Sequence, residues 1–219
     1  MLRIFRTRLT CLEEALGEIA RVKLAERFLS PDFLARSCEM VVDYQGPKGS
    51  DLLLCGLQEY VHGTIVDPWS IMDTAGFMKV LYDDLPPSAT MPAMTRDHWL
   101  NAVVQNGSTF IARIKKMILE KNHIPDLAGV GNILVTPAGR IKLVDINNIS
   151  HVSFDGRIAL DDRGYPVCDK SVEALALLEQ KLLGRRIEES EPTYRYFLDA
   201  GRKKEVDAIE KNTNQNSWS

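Results

Sequence analysis

Apolar positions recur at helical spacing from Leu9 to Leu29, where Leu12, Leu16, Ile19, Val22 and Ala25 fall on one stripe. That period predicts one long amphipathic helix. Thr10, with Glu13 three residues on, reads as a capping box at its start. Ahead of it, Leu2 to Phe5 is a short apolar run that reads as a strand. Two strand-like runs follow, Glu39 to Tyr44 and Leu52 to Tyr60, on either side of the turn-forming segment Gln45 to Asp51 with its glycines and Pro47. They predict an antiparallel hairpin. Val61-His62-Gly63-Thr64 is a short linker. From Asp67-Pro68-Trp69 to Lys121 the pattern is helical, broken by a proline-rich loop from Leu85 to Pro92, and the longest helix is expected from Thr95 to Glu120.

A second hairpin is the clearest local signal. Asn132 to Thr136 and Arg140 to Asp145 flank the turn Pro137-Ala138-Gly139. Further on, a helix is expected from Lys170 to Leu183, capped by Asp169. A last charged helix is expected from Pro192 to Lys211, before a polar tail, Asn212 to Ser219, that is expected to fray.

Composition narrows the class without fixing it. The 219 residues, 45% apolar and 26% charged, are those of an ordinary soluble globular protein. A net charge of -3 offers no basic face for nucleic acid. No run is long and apolar enough to span a bilayer, and the start Met1-Leu2-Arg3-Ile4-Phe5-Arg6 is too short and charged for a signal peptide. Cys11, Cys38, Cys55 and Cys168 are scattered without a CxxC pair, so all four are expected to be buried thiols in a reducing cytoplasm. The four histidines show no metal spacing and read as structural.

The second hairpin carries the candidate chemistry. Antiparallel strands bring the chain back to where it began, so Asn132 at the entrance and Asp145 at the exit share the open end. Asp126, in the loop after the long helix, can reach the same place. Two carboxylates and an amide suit a hard, oxygen-loving cation such as Mg2+. Each residue taken singly is better explained as a strand terminator, and it is the three together, in this order around one hairpin, that point to a site.

The order of these residues resembles the catalytic loop of the protein-kinase and aminoglycoside-phosphotransferase superfamily, over His123-Ile124-Pro125-Asp126 to Asn132-Ile133-Leu134, followed by the metal-binding triplet at Asp145-Ile146-Asn147. The resemblance implies that Asp126 orients or deprotonates an attacking hydroxyl, while Asn132 and Asp145 hold Mg2+ on the phosphates of ATP. The match departs from the family at three points. His123 lies three residues before Asp126, the step from Asp126 to Asn132 is six, and Asn147 stands in the glycine position. Gln58 to Gly63 resembles the hinge of that family, which implies that Glu59, Tyr60 and Val61 meet the adenine edge through the Glu59 carbonyl and the Val61 amide. Asp169 to Leu175 resembles the start of the large helix whose Asp braces the catalytic loop, an account compatible with a plain N-cap. Glu18 falls where the family has the acid that pairs with a strand lysine, though by its own surroundings it reads rather as part of a solvated helix face. That lysine is absent, and Arg3 or Arg6 occupies its neighbourhood. No glycine-rich loop precedes the first strand, and the 24 residues from Asp145 to Asp169 contain no A-P-E.

The resemblance therefore implies an α+β, two-lobed, protein-kinase-like fold, N-terminally truncated and divergent. Residues 1–62 form a reduced N-lobe without the glycine loop, residues 63–211 a mainly helical C-lobe, and residues 212–219 a tail. The implied function is an ATP- and Mg2+-dependent phosphotransferase on an unknown small-molecule or protein acceptor, in the cytoplasm. The alternative is a catalytically silent pseudokinase or nucleotide-binding interaction module.

Overall fold

The computed structural model describes residues 1–5, 9–47, 49–86, 94–188 and 190–216. Arg6, the stretch from Pro87 to Pro92 in the proline-rich loop, and the last residues of the tail lie outside them. In chain order the elements are β1 (Leu2–Ile4), α1 (Leu12–Leu29), β2 (Ser37–Gly46), β3 (Gly49–Gln58), β4 (Thr64–Ile65), α2 (Thr74–Asp83) and α3 (Arg96–Lys121). They continue with β5 (His123–Pro125), β6 (Ile133–Val135), β7 (Ile141–Leu143), β8 (Ile149–His151), α4 (Val167–Leu183), α5 (Pro192–Arg195) and α6 (Ala200–Asn216). Among the described residues the sheets are small and antiparallel, with strand orders β1-β3-β2, β4-β6-β7 and β5-β8. The class is α+β. No helix among the described residues is long and apolar enough to cross a membrane.

Most elements lie where the periodicity puts them, and the departures have local causes. α1 begins at Leu12 with Cys11 as its N-cap and no capping side chain. The expected Thr10–Glu13 box does not form. Instead the Thr10 amide donates to Glu14 Oε2 at 2.6 Å, one residue later. The buried face of α1 is Ala15, Val22, Ala25 and Leu29, while Leu12 and Leu16 are exposed. The expected last helix is broken into α5 and α6, and α6 continues to Asn216, past the expected start of the frayed tail. Cys55 and Cys168 are buried as expected. Cys11 and Cys38 are exposed, one at a helix start and one on an outward-facing strand position.

The core forms where α3 and α4 pack together. α3 contributes Trp99, Val103, Phe110, Ile114, Met117 and Ile118, and α4 contributes Val172, Leu175, Leu178 and Leu182. α3 ends at Asn122, whose left-handed backbone (φ 53°) suits an asparagine cap and returns its amide to the Ile118 carbonyl. That turn sends the chain into β5. The same helix fixes the β6–β7 hairpin: Trp99 Nε1 donates to the Thr136 carbonyl (3.1 Å), and Asn106 Nδ2 to the Gly139 carbonyl (3.2 Å).

The link between α1 and β2 is stitched to β7. Leu143 donates to Phe33 (2.8 Å) and Ala35 to Leu143 (3.0 Å) through the backbone. Lys142 Nζ donates to the carbonyls of Pro31 (2.9 Å) and Leu34 (3.2 Å). At the far end of β3, Gln58 Nε2 donates to the Val144 carbonyl at 2.7 Å. The N-terminal sheet is thus held against the hairpin that carries Asp145.

Candidate functional site

The turn after β5 is built by its own backbone. Asp126 Oδ1 accepts from the amides of Ala128 (2.9 Å) and Gly129 (3.1 Å), closing an Asx-type turn. Asn132, mostly buried, folds its side chain back so that Nδ2 donates to the Asp126 carbonyl at 2.9 Å. Its amide proton goes to the Gly129 carbonyl (3.1 Å), and its own carbonyl accepts from Val144 (2.8 Å). The open end of the hairpin therefore brings Asp126 and Asn132 beside the residue preceding Asp145.

Gly129 is what lets Asn132 turn inward. A Cβ at that position would lie 2.5 Å from Asn132 Nδ2, closer than real contacts allow. Gly129→Ala is expected to push the Asn132 side chain off the Asp126 carbonyl and to destabilise the fold by about 1–3 kcal/mol, the range for overpacking. Urea unfolding of the variant checks this; an unchanged midpoint would show that the turn can give way.

Asp145 is half-exposed. Its Oδ1 accepts from the Asn147 amide at 3.0 Å and lies 3.8 Å from Arg3 Nη1. Arg3 Nη1 also donates to Asn147 Oδ1 at 3.2 Å. The Arg3 side chain is about nine-tenths buried, and its Nε and Nη2 have no hydrogen-bond partner among the described residues. Burial holds the Arg3 guanidinium below its ordinary value, against Asp145 and Glu39, which raise it. Nη1 is the nitrogen that meets the loop, while Nη2 lies on the Glu39 side. Burial also raises the Asp126 carboxyl, with the Asp145 charge adding to the rise and the two backbone amides and Asn132 opposing it.

The hinge-like segment joins the same region. Gln58, at the end of β3, is tied to Val144, the residue before Asp145. Glu59 is anchored by Arg36: its carboxylate accepts from the Arg36 amide (3.0 Å) and Nε (2.9 Å), and its own amide donates to the Arg36 carbonyl (2.9 Å). Among the described residues no hydrogen bond forms to the Glu59 carbonyl or from the Val61 amide. Tyr60 is exposed, edge-on to His62.

Arg3, Asp126, Asn132 and Asp145 come together, and Gln58, the residue before the Glu59–Val61 segment, reaches Val144 beside them. Glu18 does not join them. It pairs with Arg21, one turn along its own helix. The acid that faces Arg3 from within the sheet is Glu39 on β2, at 4.0 Å, which pattern reading missed because helical spacing does not reveal which strand residue faces a neighbouring strand. Asp169 is also placed differently from expectation. α4 is capped by Pro166, and Asp169, in its first turn, is buried and pairs with Arg202 of α6 rather than with the loop at Asp126. The brace on that loop is Ser171, whose Oγ accepts from the Leu127 amide at 3.2 Å.

Asn132 and Asp145 carry an amide and a carboxylate oxygen, the donor type that a hard cation such as Mg2+ takes. Among the described residues no three His, Cys, Asp or Glu side chains gather at metal-ligand spacing, so a cation here would lean on the amide oxygen and on the groups of its ligand.

No family model matches the chain, and no curated protein matches it. Among solved structures, the ROP18 kinase domain in complex with AMP-PNP and sucrose is similar over the whole of this chain and 75% of that one. The sequence identity is 12% and the TM-score 0.37. At that score the likeness is coarse and carries no weight for chemistry.

Proposed function

We propose that this chain is a divergent protein-kinase-like domain that binds ATP with Mg2+ and transfers its terminal phosphoryl group to a small-molecule or protein acceptor. The observation that carries the reading is the convergence of Asp126, Asn132 and Asp145 at the open end of one hairpin, with buried Arg3 facing Asp145. The order of residues along the chain, from a hinge-like strand through a long helix to the Asp126 loop and Asp145, supports it.

In this reading the Glu59 carbonyl and the Val61 amide take the adenine edge. Arg3 meets phosphate oxygens through Nη1, the nitrogen it presents beside Asp145 and Asn147. Asn132 and Asp145 would hold Mg2+, which supplies charge neutralisation on the phosphates when bound. Asp126 Oδ1 is committed to two backbone amides, which leaves Oδ2 as the oxygen to meet the acceptor hydroxyl. The raised carboxyl is suited to taking that proton as the oxygen attacks the terminal phosphorus and the bond to the nucleoside diphosphate breaks.

A second reading, a nucleotide-binding module without transfer, is favoured by one feature. Arg3 already supplies a cation to Asp145 and Asn147. An internal charge at that place weakens the demand for a divalent ion.

Thermal melting with ATP, with and without Mg2+, tests both. A ligand at a hundred times its dissociation constant stabilises the folded state by about 2.7 kcal/mol, or roughly 5–10 °C for a chain this size. The expected result is a Mg2+-dependent rise that Asp145→Ala abolishes. A rise that ignores Mg2+ and survives Asp145→Ala favours the binding module. No rise in the wild type sinks the nucleotide reading.

A further inference from the structure

Three residues stand side by side across the N-terminal sheet. Arg3 on β1 pairs in register with Gly56 on β3, and Gly56 pairs with Glu39 on β2. All three therefore share one face of the sheet, with the middle strand contributing no side chain. A Cβ at Gly56 would come within 3.5 Å of Arg3 Nη2 and 3.8 Å of Glu39 Oε1. Glycine in the centre strand thus leaves the space over which the outer two side chains meet. The Glu39 side chain is 1% exposed. Its Oε1 accepts from Ser37 Oγ (2.5 Å) and lies 4.0 Å from Arg3 Nη2, and its Oε2 lies 3.5 Å from Lys23 Nζ of α1. Lys23 is in turn paired with Glu26 at 2.9 Å. The Arg3 guanidinium also lies 5.5 Å from the Phe5 ring.

We infer that Glu39 is a positioning residue for the candidate site: held by Lys23 and Ser37, it fixes Arg3 across Gly56 so that the guanidinium is presented to Asp145 and Asn147. The role rests on the nucleotide-binding reading above only for its effect on a ligand. An acid on a strand takes it, and the helix acid Glu18 is spent on Arg21. Lys23 makes α1 a partner in the arrangement, so a shift of that helix would be felt at Arg3 through Glu39. A buried carboxylate with two cations and a hydroxyl at hand is stable only if all of them stay in place, which is why the arrangement holds Arg3 in one pose rather than several.

The experiment uses the full chain and two readouts. The first is the affinity for ATP with Mg2+, by calorimetry, for the wild type, Glu39→Gln, Arg3→Met, the double variant and Glu18→Gln. Glu39→Gln is expected to weaken ATP by about tenfold, the scale of one charge-assisted contact. In the Arg3→Met background it is expected to cost nothing further, because its effect passes through Arg3. The second readout is amide hydrogen exchange at residues 145–148 without ligand, where Glu39→Gln and Arg3→Met are each expected to speed exchange at Asn147. Equal losses of affinity with and without Arg3, or loss at Glu18→Gln in place of Glu39→Gln, would overturn the assignment. If the wild type binds no ATP, the function proposed above fails. The exchange readout then decides by itself: unchanged exchange in Glu39→Gln shows that Glu39 does not hold Arg3 on the loop.

Discussion

Asp126→Asn is expected to cut phosphoryl transfer by about 10²–10⁴-fold, the contribution of a positioned base, while ATP affinity stays near the wild-type value and the fold becomes no weaker. An asparagine oxygen keeps the two hydrogen bonds from Ala128 and Gly129, so the turn survives, but the proton acceptor is gone. The stability arm has a definite sign. Burial raises the Asp126 carboxyl above its ordinary value, so the folded state holds that proton more tightly than the unfolded chain does. Stability from this group is greatest below the unfolded value and falls as pH rises through the folded one. The asparagine variant lacks that fall. Its urea midpoint should match the wild type near about pH 3 and exceed it at neutral pH, where the wild type carries a desolvated charge. Full transfer activity in Asp126→Asn would remove Asp126 from the chemistry. A midpoint below that of the wild type at neutral pH would mean that the carboxylate is a net structural asset.

The largest effect on the fold is expected at the opposite side of α4. Asp169 and Arg202 form a two-pronged pair, 2.6 Å from Nε to Oδ1 and 3.0 Å from Nη2 to Oδ2, with both side chains nearly buried. Burial raises the Asp169 carboxyl even against the pull of Arg202. Arg202 also donates to the Arg157 carbonyl (3.0 Å) and lies against the rings of Tyr196 and Phe197. Arg202→Met leaves the carboxylate enclosed without a partner, and a loss of about 3–5 kcal/mol is expected. That is a large part of the 5–15 kcal/mol typical of a domain. The double variant Asp169→Leu with Arg202→Met should recover most of the loss, since it removes the charge together with its partner. Denaturant unfolding of the three proteins checks this. A small loss in the single variant would show that water reaches Asp169.

The elements that pattern reading reaches are those whose signal is local. α3 announces itself by sustained helical spacing, and the β6–β7 hairpin by two short apolar runs around Pro137-Ala138-Gly139. The hairpin then places Asn132 opposite Val144, the residue before Asp145, through antiparallel pairing alone. Partners set by the packing of distant segments are not legible in this way. Glu39 meets Arg3 only because β1 and β2 flank β3 on opposite sides, and the chain order gives no hint of that. Asp169 sits where a cap is expected, yet its partner comes 33 residues later on α6. On α1 the expected stripe holds at Val22 and Ala25, which are buried, and fails at Leu12 and Leu16, which are exposed while Ala15 between them is buried. Ser171 gives no signal at all in the sequence, since a lone serine in a helix is ordinary, and its contact with Leu127 arises from how α4 docks.

The stitching of residues 31–35 to β7 and of Gln58 to Val144 has a mechanical consequence. Swinging the N-terminal sheet away from the β6–β7 hairpin would break five hydrogen bonds together, each contributing about 0.5–1.5 kcal/mol. This joint is riveted, and admission of a ligand cannot proceed by cheap domain swing about it. Opening on that side belongs to partial unfolding, with the slow rates and steep temperature dependence of such events, so the exchange of any ligand enclosed there would be governed by how often the rivets fail.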